Sequence, residues 1–210
     1  MNQDTHLFLF GSSPPFNEQL ADGFSKQMKN RTVAVLYIDR DGSEAYLPKY
    51  TNALTQTNLS VVRLPLKKTY TDVERNVLSE CGGIIIGGGD TVAYHDFIVN
   101  TSLGAMIYER FQEGVPVAGF SAGALISPEH CVISPMDNVA QVQQFKKGLG
   151  LLKKAVISAH FLEWKEEQNL KKALVETGQP VGYGIAEGAG IYLRNNQFIA
   201  SEGYVQVEYQ

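Results

Sequence analysis

Few residues here suit metal or redox chemistry. Of 210 residues only two are cysteine, Cys81 and Cys131, and no CxxC spacing occurs. A structural zinc site and a dithiol redox motif are therefore not expected, and both cysteines read as small buried hydrophobes. Long basic runs are missing too: the nearest approaches are Lys67-Lys68 and Lys153-Lys154, in a chain of formal net charge -4. That balance predicts no nucleic-acid partner. No stretch of 18 apolar residues exists, so no membrane partner is expected. The opening residues Met1 to His6 are polar, with no basic segment leading into an apolar one. No secretory signal is read there, and the cytoplasm is the expected compartment. What is present is ordinary for a globular chain: 44% hydrophobic and 19% charged residues. The length suits one domain over residues 1–210.

Apolar runs alternate with stretches of helical spacing. Leu7 to Phe10, Thr32 to Ile38, Leu59 to Leu64, Gly83 to Ile86 and Val115 to Phe120 are continuous and rich in β-branched or aromatic residues. Such runs fit strands buried on both faces. Between them Phe16, Leu20, Phe24 and Met28 recur every four residues, as do Tyr46, Tyr50 and Leu54, and Leu103, Ile107 and Phe111. The alternation predicts βαβ crossovers and a mostly parallel α/β sheet flanked by helices. The last third reads differently. Val181 to Gly184, Ala189 to Leu193, Gln197 to Ser201 and Tyr204 to Tyr209 lie close together, with Asn195-Asn196 as a hairpin turn. An antiparallel finish to the sheet, or a small β extension, is expected. Asp39 to Gly42 and Ser127 to Gln144 read as loops, the second long enough to be functional.

The strongest motif is Gly119-Phe120-Ser121-Ala122-Gly123-Ala124, a G-x-S-x-G directly after an apolar strand. A serine on a tight strand-to-helix turn is pushed out above the sheet, beside the N–H groups of a helix start. Gly119 and Gly123 lack Cβ atoms, which lets strand and helix approach. A second turn, Gly87-Gly88-Gly89-Asp90-Thr91, also follows an apolar strand. Backbone N–H groups of Gly88, Gly89 and Asp90 are candidates for one half of an oxyanion hole, with Ala122 as the other half. Neither the phosphate-loop nor the dinucleotide fingerprint is present. Asp90 and Thr91 also suit a helix cap.

A serine nucleophile needs a base and a carboxylate to orient it. Four histidines are available. His6 reads as terminal surface, His95 as part of a helix, and His130 as part of the long loop. His160 ends the run Ala155 to Ala159, and strand C-terminal ends line the crevice of a parallel α/β fold. His160 is therefore the first choice and His130 the second. For the acid, Asp137 and Glu187 both stay open on position, while Glu163 and Glu166 read as a solvated helix face.

The motifs Gly-Gly-Gly-Asp-Thr at 87–91, Gly-Phe-Ser-Ala-Gly-Ala at 119–124, Gly148 to Leu152 with Ile157-Ser-Ala-His160-Phe, and Gly184-Ile-Ala-Glu187-Gly188 occur in that order. Together they resemble the dipeptidase E and cyanophycinase family of serine peptidases. The resemblance implies a class I glutamine amidotransferase-like fold, a flavodoxin-like three-layer arrangement. It implies Ser121 as nucleophile, His160 as base and Glu187 as acid, with Asp137 as the alternative acid. It implies short peptide substrates with an N-terminal aspartate, or related isopeptide links, and no cofactor or metal. After His160 comes Phe-Leu-Glu-Trp-Lys-Glu-Glu, in which Lys165 is the cation available to an acidic substrate side chain. A homodimer is compatible with this reading. Two rivals remain at this point: a carboxylesterase of the α/β-hydrolase type, in the order Ser121, Asp137, His160, and a catalytically inactive ligand-binding member of the same fold. A glutamine amidotransferase would need a cysteine where Ser121 stands.

Overall fold

The structure, a computed structural model, describes residues 3–210. Five strands run parallel in a central sheet: β1 (His6–Phe10), β2 (Thr32–Tyr37), β3 (Ser60–Pro65), β4 (Gly83–Ile86) and β5 (Val117–Phe120). A short antiparallel ribbon follows, β6 (His130–Ile133) with β7 (Gln144–Lys147). Next come β8 (Ala155–Ser158) and β9 (Val181–Ile185), parallel to each other. Then β10 (Gly190–Arg194) and β11 (Gln197–Glu202) complete the central sheet, antiparallel to their neighbours. The last strand, β12 (Val205–Tyr209), pairs antiparallel with β9. The central order is β11-β10-β1-β5-β4-β2-β3. The helices are α1 (Glu18–Gln27), α2 (Ser43–Tyr46), α3 (Asp72–Glu80), α4 (Thr91–Ile98), α5 (Ser102–Gln112), α6 (Ala122–Ile126) and α7 (Glu167–Thr177).

Both faces of the inner strands β1, β2, β4 and β5 are covered, and successive residues alternate between them. Leu7, Leu9, Ala34, Leu36, Ile84 and Ile86 join one core with residues of α3, α4 and α5. Phe8, Phe10, Val33, Val35, Ile85 and Phe120 join the other with Phe16, Leu20 and Phe24. This is why these four strands read as nearly unbroken apolar runs, whereas the edge strands β3 and β11 are largely exposed and carry polar residues. Among the described residues no helix is long and apolar enough to cross a membrane.

Several local expectations need correcting. The segment 127–144 is not only loop. It holds β6, whose Cys131, Val132 and Ile133 are buried, and the 3₁₀ turn Pro135–Asp137. That apolar run lies between Pro128 and Pro135 and is too short to stand out by periodicity. The strand before His160 is not in the central sheet but in the small sheet β12-β9-β8. The antiparallel finish is thus split, with β10 and β11 in one sheet and β12 in the other. Tyr46 and Tyr50 do not share one α-helix, since α2 passes into the 3₁₀ turn Leu47–Tyr50 at Pro48, which lacks the N–H that would continue it. His6 is not surface: it is 6% exposed, with Nδ1 2.8 Å from Tyr192 Oη. Glu166 is not on a solvated face either. It is 3% exposed and accepts hydrogen bonds from Ser134 Oγ at 2.7 Å and Asn169 Nδ2 at 3.0 Å.

The aromatic core grips the residue before Ser121. The Phe120 ring stacks on Phe10 with centroids 4.4 Å apart, and meets Phe16 at 4.9 Å and Tyr50 at 5.1 Å edge to face. Aromatic pairs of this geometry add to plain area burial. Replacing Phe120 by Ala is expected to lower stability by about 3–5 kcal/mol. Urea unfolding followed by far-UV circular dichroism measures this.

Candidate active site

Strand β5 ends at Phe120 and α6 begins at Ala122, so Ser121 alone makes the turn. Its backbone adopts φ 47 and ψ −106, a conformation that L-residues avoid. Such strain is on the order of 1–3 kcal/mol and persists only where the surroundings over-determine it. Here they do. Ser121 N–H donates to Phe10 O at 3.0 Å, and Gly123 N–H donates to Gly87 O at 3.1 Å. A Cβ on Gly123 would lie 2.3 Å from Ile86 O, and one on Gly119 would lie 2.5 Å from Gly123 O. Strand and helix therefore approach as closely as the motif predicts.

His160 follows β8 and also has positive φ, at 48°. Its N–H donates to Gly11 O at 2.8 Å, which fixes the turn against the end of β1. The ring stacks on Trp164 at 4.2 Å. Nε2 lies 2.9 Å from Ser121 Oγ, and Nδ1 lies 2.6 Å from Glu187 Oε1. A carboxylate oxygen only accepts, which places the proton on Nδ1 and leaves Nε2 as acceptor for the serine hydroxyl. Glu187 sits on the turn between β9 and β10, and its N–H donates to Glu163 Oε2 at 3.1 Å.

The structure thus brings Ser121, His160 and Glu187 into one hydrogen-bonded line. Asp137 is elsewhere: its carboxylate accepts the hydroxyl of Thr91, the first residue of α4. Burial is the main cause that pushes its pKa from the ordinary 3.8 to about 6, and the charges of Asp90 and Glu166 push the same way. The Thr91 hydrogen bond and His160 act against them. His130 lies in β6 opposite Lys147, and His95 Nε2 is 2.9 Å from Lys147 O, so neither ring is bonded to Ser121. Lys165 is exposed on the turn after His160. Cys81 and Cys131 are buried, and burial raises their thiols to about 11 and about 12, so they are inert at neutral pH.

The glycine-rich turn runs against the elbow, where a Cβ on Gly88 would lie 3.2 Å from Ser121 Cβ. Gly88 departs from its expected role as a donor. Its N–H is already taken, donating to Tyr50 Oη at 2.9 Å. Among the described residues the N–H groups of Gly89 and Ala122 have no protein acceptor, and Asp90 caps α4 through Ala93 N–H at 2.9 Å. Sequence reasoning gave no role in the site to Tyr50, Gly11, Trp164 or Glu166. Gly11 and Trp164 left a trace, one as a glycine directly after a buried strand and the other as an aromatic four residues beyond His160. Tyr50 and Glu166 left none, because their partners Gly88 and Ser134 are remote in sequence. Among the described residues no group of three or more His, Cys, Asp or Glu side chains could hold a metal ion.

Residues 7–201 match peptidase family S51. No curated protein matches the chain. Solved structures that share its fold include two peptidases. A peptidase from an acI-B1 Actinobacterium has TM-score 0.72 and 21% identity, over 98% of this chain and 88% of that one. A structure described as a peptidase E protein from Listeria monocytogenes EGD-e has TM-score 0.68 and 21% identity, over 99% of this chain and all of that one.

The raised Asp137 pKa has a definite sign in stability. Between about pH 4 and 6 the folded chain holds this proton more tightly than the unfolded chain, so stability falls as pH rises through that window. Asp137→Asn cannot ionise. Its melting temperature is expected to exceed wild type at pH 8, and the gap is expected to close at pH 4. Thermal melts at the two pH values measure this, and equal gaps at both would contradict the assignment.

Proposed function

Because the chain belongs to peptidase family S51, we propose that it hydrolyses short peptides through an acyl-enzyme on Ser121. The chain is a serine peptidase, and the peptide class and the residue roles are our reading. The observation that carries it is the line from Ser121 Oγ through the His160 ring to Glu187 Oε1, at 2.9 and 2.6 Å.

In this mechanism the Ser121 hydroxyl loses its proton to His160 Nε2 as Oγ attacks the scissile carbonyl. The C=O bond becomes a C–O⁻, and the N–H groups of Gly89 and Ala122 receive the developing charge. Glu187 keeps the Nδ1 proton in place and stabilises the imidazolium. His160 then gives its Nε2 proton to the leaving amine, the C–N bond breaks, and the acyl-enzyme remains. Water attacks the ester carbon and passes its proton to His160, and Ser121 leaves as the alcohol. Atoms and charges balance without a cofactor. An amide needs this protonated leaving group, and the same imidazole supplies it.

The chain order also bears on the esterase rival. That reading needs an acid between Ser121 and His160, and the carboxylate on Nδ1 is Glu187, downstream of both. Substrates with an N-terminal aspartate, or related isopeptide links, are the finer form of the proposal, and short peptides are its general form.

Ser121→Ala is expected to lower peptide hydrolysis by about 10⁴-fold or more and to abolish labelling by a fluorophosphonate probe. Glu187→Gln is expected to cost up to about 10⁴-fold in kcat, because an amide on Nδ1 favours the wrong tautomer. Equal labelling of wild type and Ser121→Ala would end the proposal. So would turnover of short acyl esters with no cleavage of any dipeptide in a library.

A further inference from the structure

A cavity of about 440 Å³ opens beside the elbow, with Gly88 and Gly89 on its wall next to Ser121. Tyr37, Tyr46, Tyr50 and Tyr94 line it, and Arg40 lines it as well. We infer that this cavity is the subsite for a substrate carboxylate and that the Arg40 guanidinium binds it. The inference rests on the peptidase reading above and assigns a recognition residue to it.

Three observations converge on Arg40. First, its charge has no protein partner: among the described residues no carboxylate lies within ion-pair distance of it. Glu44, four residues on, is already paired with Arg63. Second, its backbone is fixed, since Arg40 N–H donates to Ser43 Oγ at 3.0 Å and Ser43 N–H donates to Arg40 O at 3.0 Å. Third, Arg40 is exposed at the cavity it lines, on the same wall as Gly88 and Gly89. Its positive charge acts on the buried phenols of both Tyr50 and Tyr94, and Tyr50 Oη holds Gly88 N–H at 2.9 Å. The cation thus shares one cavity with the tyrosines and the glycine turn.

Arginine's planar fork matches a carboxylate bidentately, and a low-polarity tyrosine wall strengthens that pairing. Asp41 and Asp90 also line the cavity. Asp90 is engaged as the α4 cap. A pocket with one free cation and acids at its wall suits a zwitterionic short peptide better than a neutral one. Lys165, the cation expected from the sequence, is exposed on the His160 turn and does not line this cavity.

The carboxylate has two sources, an acidic side chain or the C-terminus of a dipeptide, and matched peptides separate them. Asp-Leu, Asn-Leu and Asp-Leu amide are compared with wild type, Arg40→Met and Arg40→Lys. Wild type is expected to favour Asp-Leu over one neutral analogue, and Arg40→Met to reduce that preference by about 20-fold or more, through KM. Arg40→Lys restores part of it. Preference lost against Asn-Leu assigns the side chain, and preference lost against the amide assigns the terminus. A wild type indifferent to both neutral analogues, or an Arg40→Met variant that keeps its preference, overturns the inference. Calorimetric binding of Asp-Leu to Ser121→Ala, with and without Arg40→Met, separates the two claims. Arg40-dependent binding in a protein that hydrolyses no peptide would sink the peptidase reading and keep this subsite. Binding that ignores Arg40, in a protein labelled at Ser121 by fluorophosphonate, would do the reverse.

Discussion

The site depends on two consecutive carbonyls at the end of β1. Phe10 O accepts the N–H of Ser121, and Gly11 O accepts the N–H of His160. Two residues 39 apart in sequence are thereby set on neighbouring rungs of one short peptide segment. The third member is set from the same place. Gly11 N–H donates to Ala189 O, and a Cβ on Gly11 would lie 2.2 Å from Ile185 O and 2.4 Å from Ala186 O. The strand end that leads to Glu187 therefore passes directly over Gly11. No residue larger than glycine fits there without moving that strand, and Glu187 would move with it.

Positive φ at both Ser121 and His160 follows from this arrangement. Each chain must turn sharply after its strand to present a side chain above the sheet while its N–H stays on β1. The strain is held by rigid neighbours: the aromatic stack around Phe120 on one side, and Trp164 and Glu166 on the other. Glu166 is a buried carboxylate whose acceptors are filled by Ser134, Asn169 and, more distantly, Ser158 Oγ at 3.4 Å. It ties the end of β6, the end of β8 and the start of α7 together around the His160 turn. An unpaired buried charge would be costly, and hydrogen bonds from neutral donors offset that cost.

Much of this was legible in the sequence because two of the signals are local. G-x-S-x-G needs only its own five residues and the strand before them, and a histidine at a strand end needs only its own run. The glycine turn was legible as a close approach, but the fate of each N–H was not. Gly88 donates to Tyr50, 38 residues upstream, and nothing in either segment announces the pair. The small sheet was hidden for the same reason: β8 has the apolar composition of a central strand, and only pairing decides which sheet it joins. His6 and Glu166 were misread because polarity suggested surface, whereas both are buried with partners brought by tertiary contacts.

The two candidate acids show why position along the chain could not choose between them. Asp137 lies in the connection between Ser121 and His160, a natural place for a triad acid, yet its carboxyl is turned toward Thr91 and burial favours its neutral form. Its oxygen is engaged by the Thr91 hydroxyl and not by His160 Nδ1, so it does not orient the ring. Glu187 is nearly half exposed, with 47% of its side chain accessible, so water supports its charge and screens its field. Orientation, more than raw electrostatics, is then what Glu187 offers: a single acceptor 2.6 Å from Nδ1 that fixes the tautomer and leaves Nε2 facing the serine. The chemistry asks for an ionised acceptor on one ring nitrogen, and the fold meets that demand by routing the β9–β10 turn past Gly11.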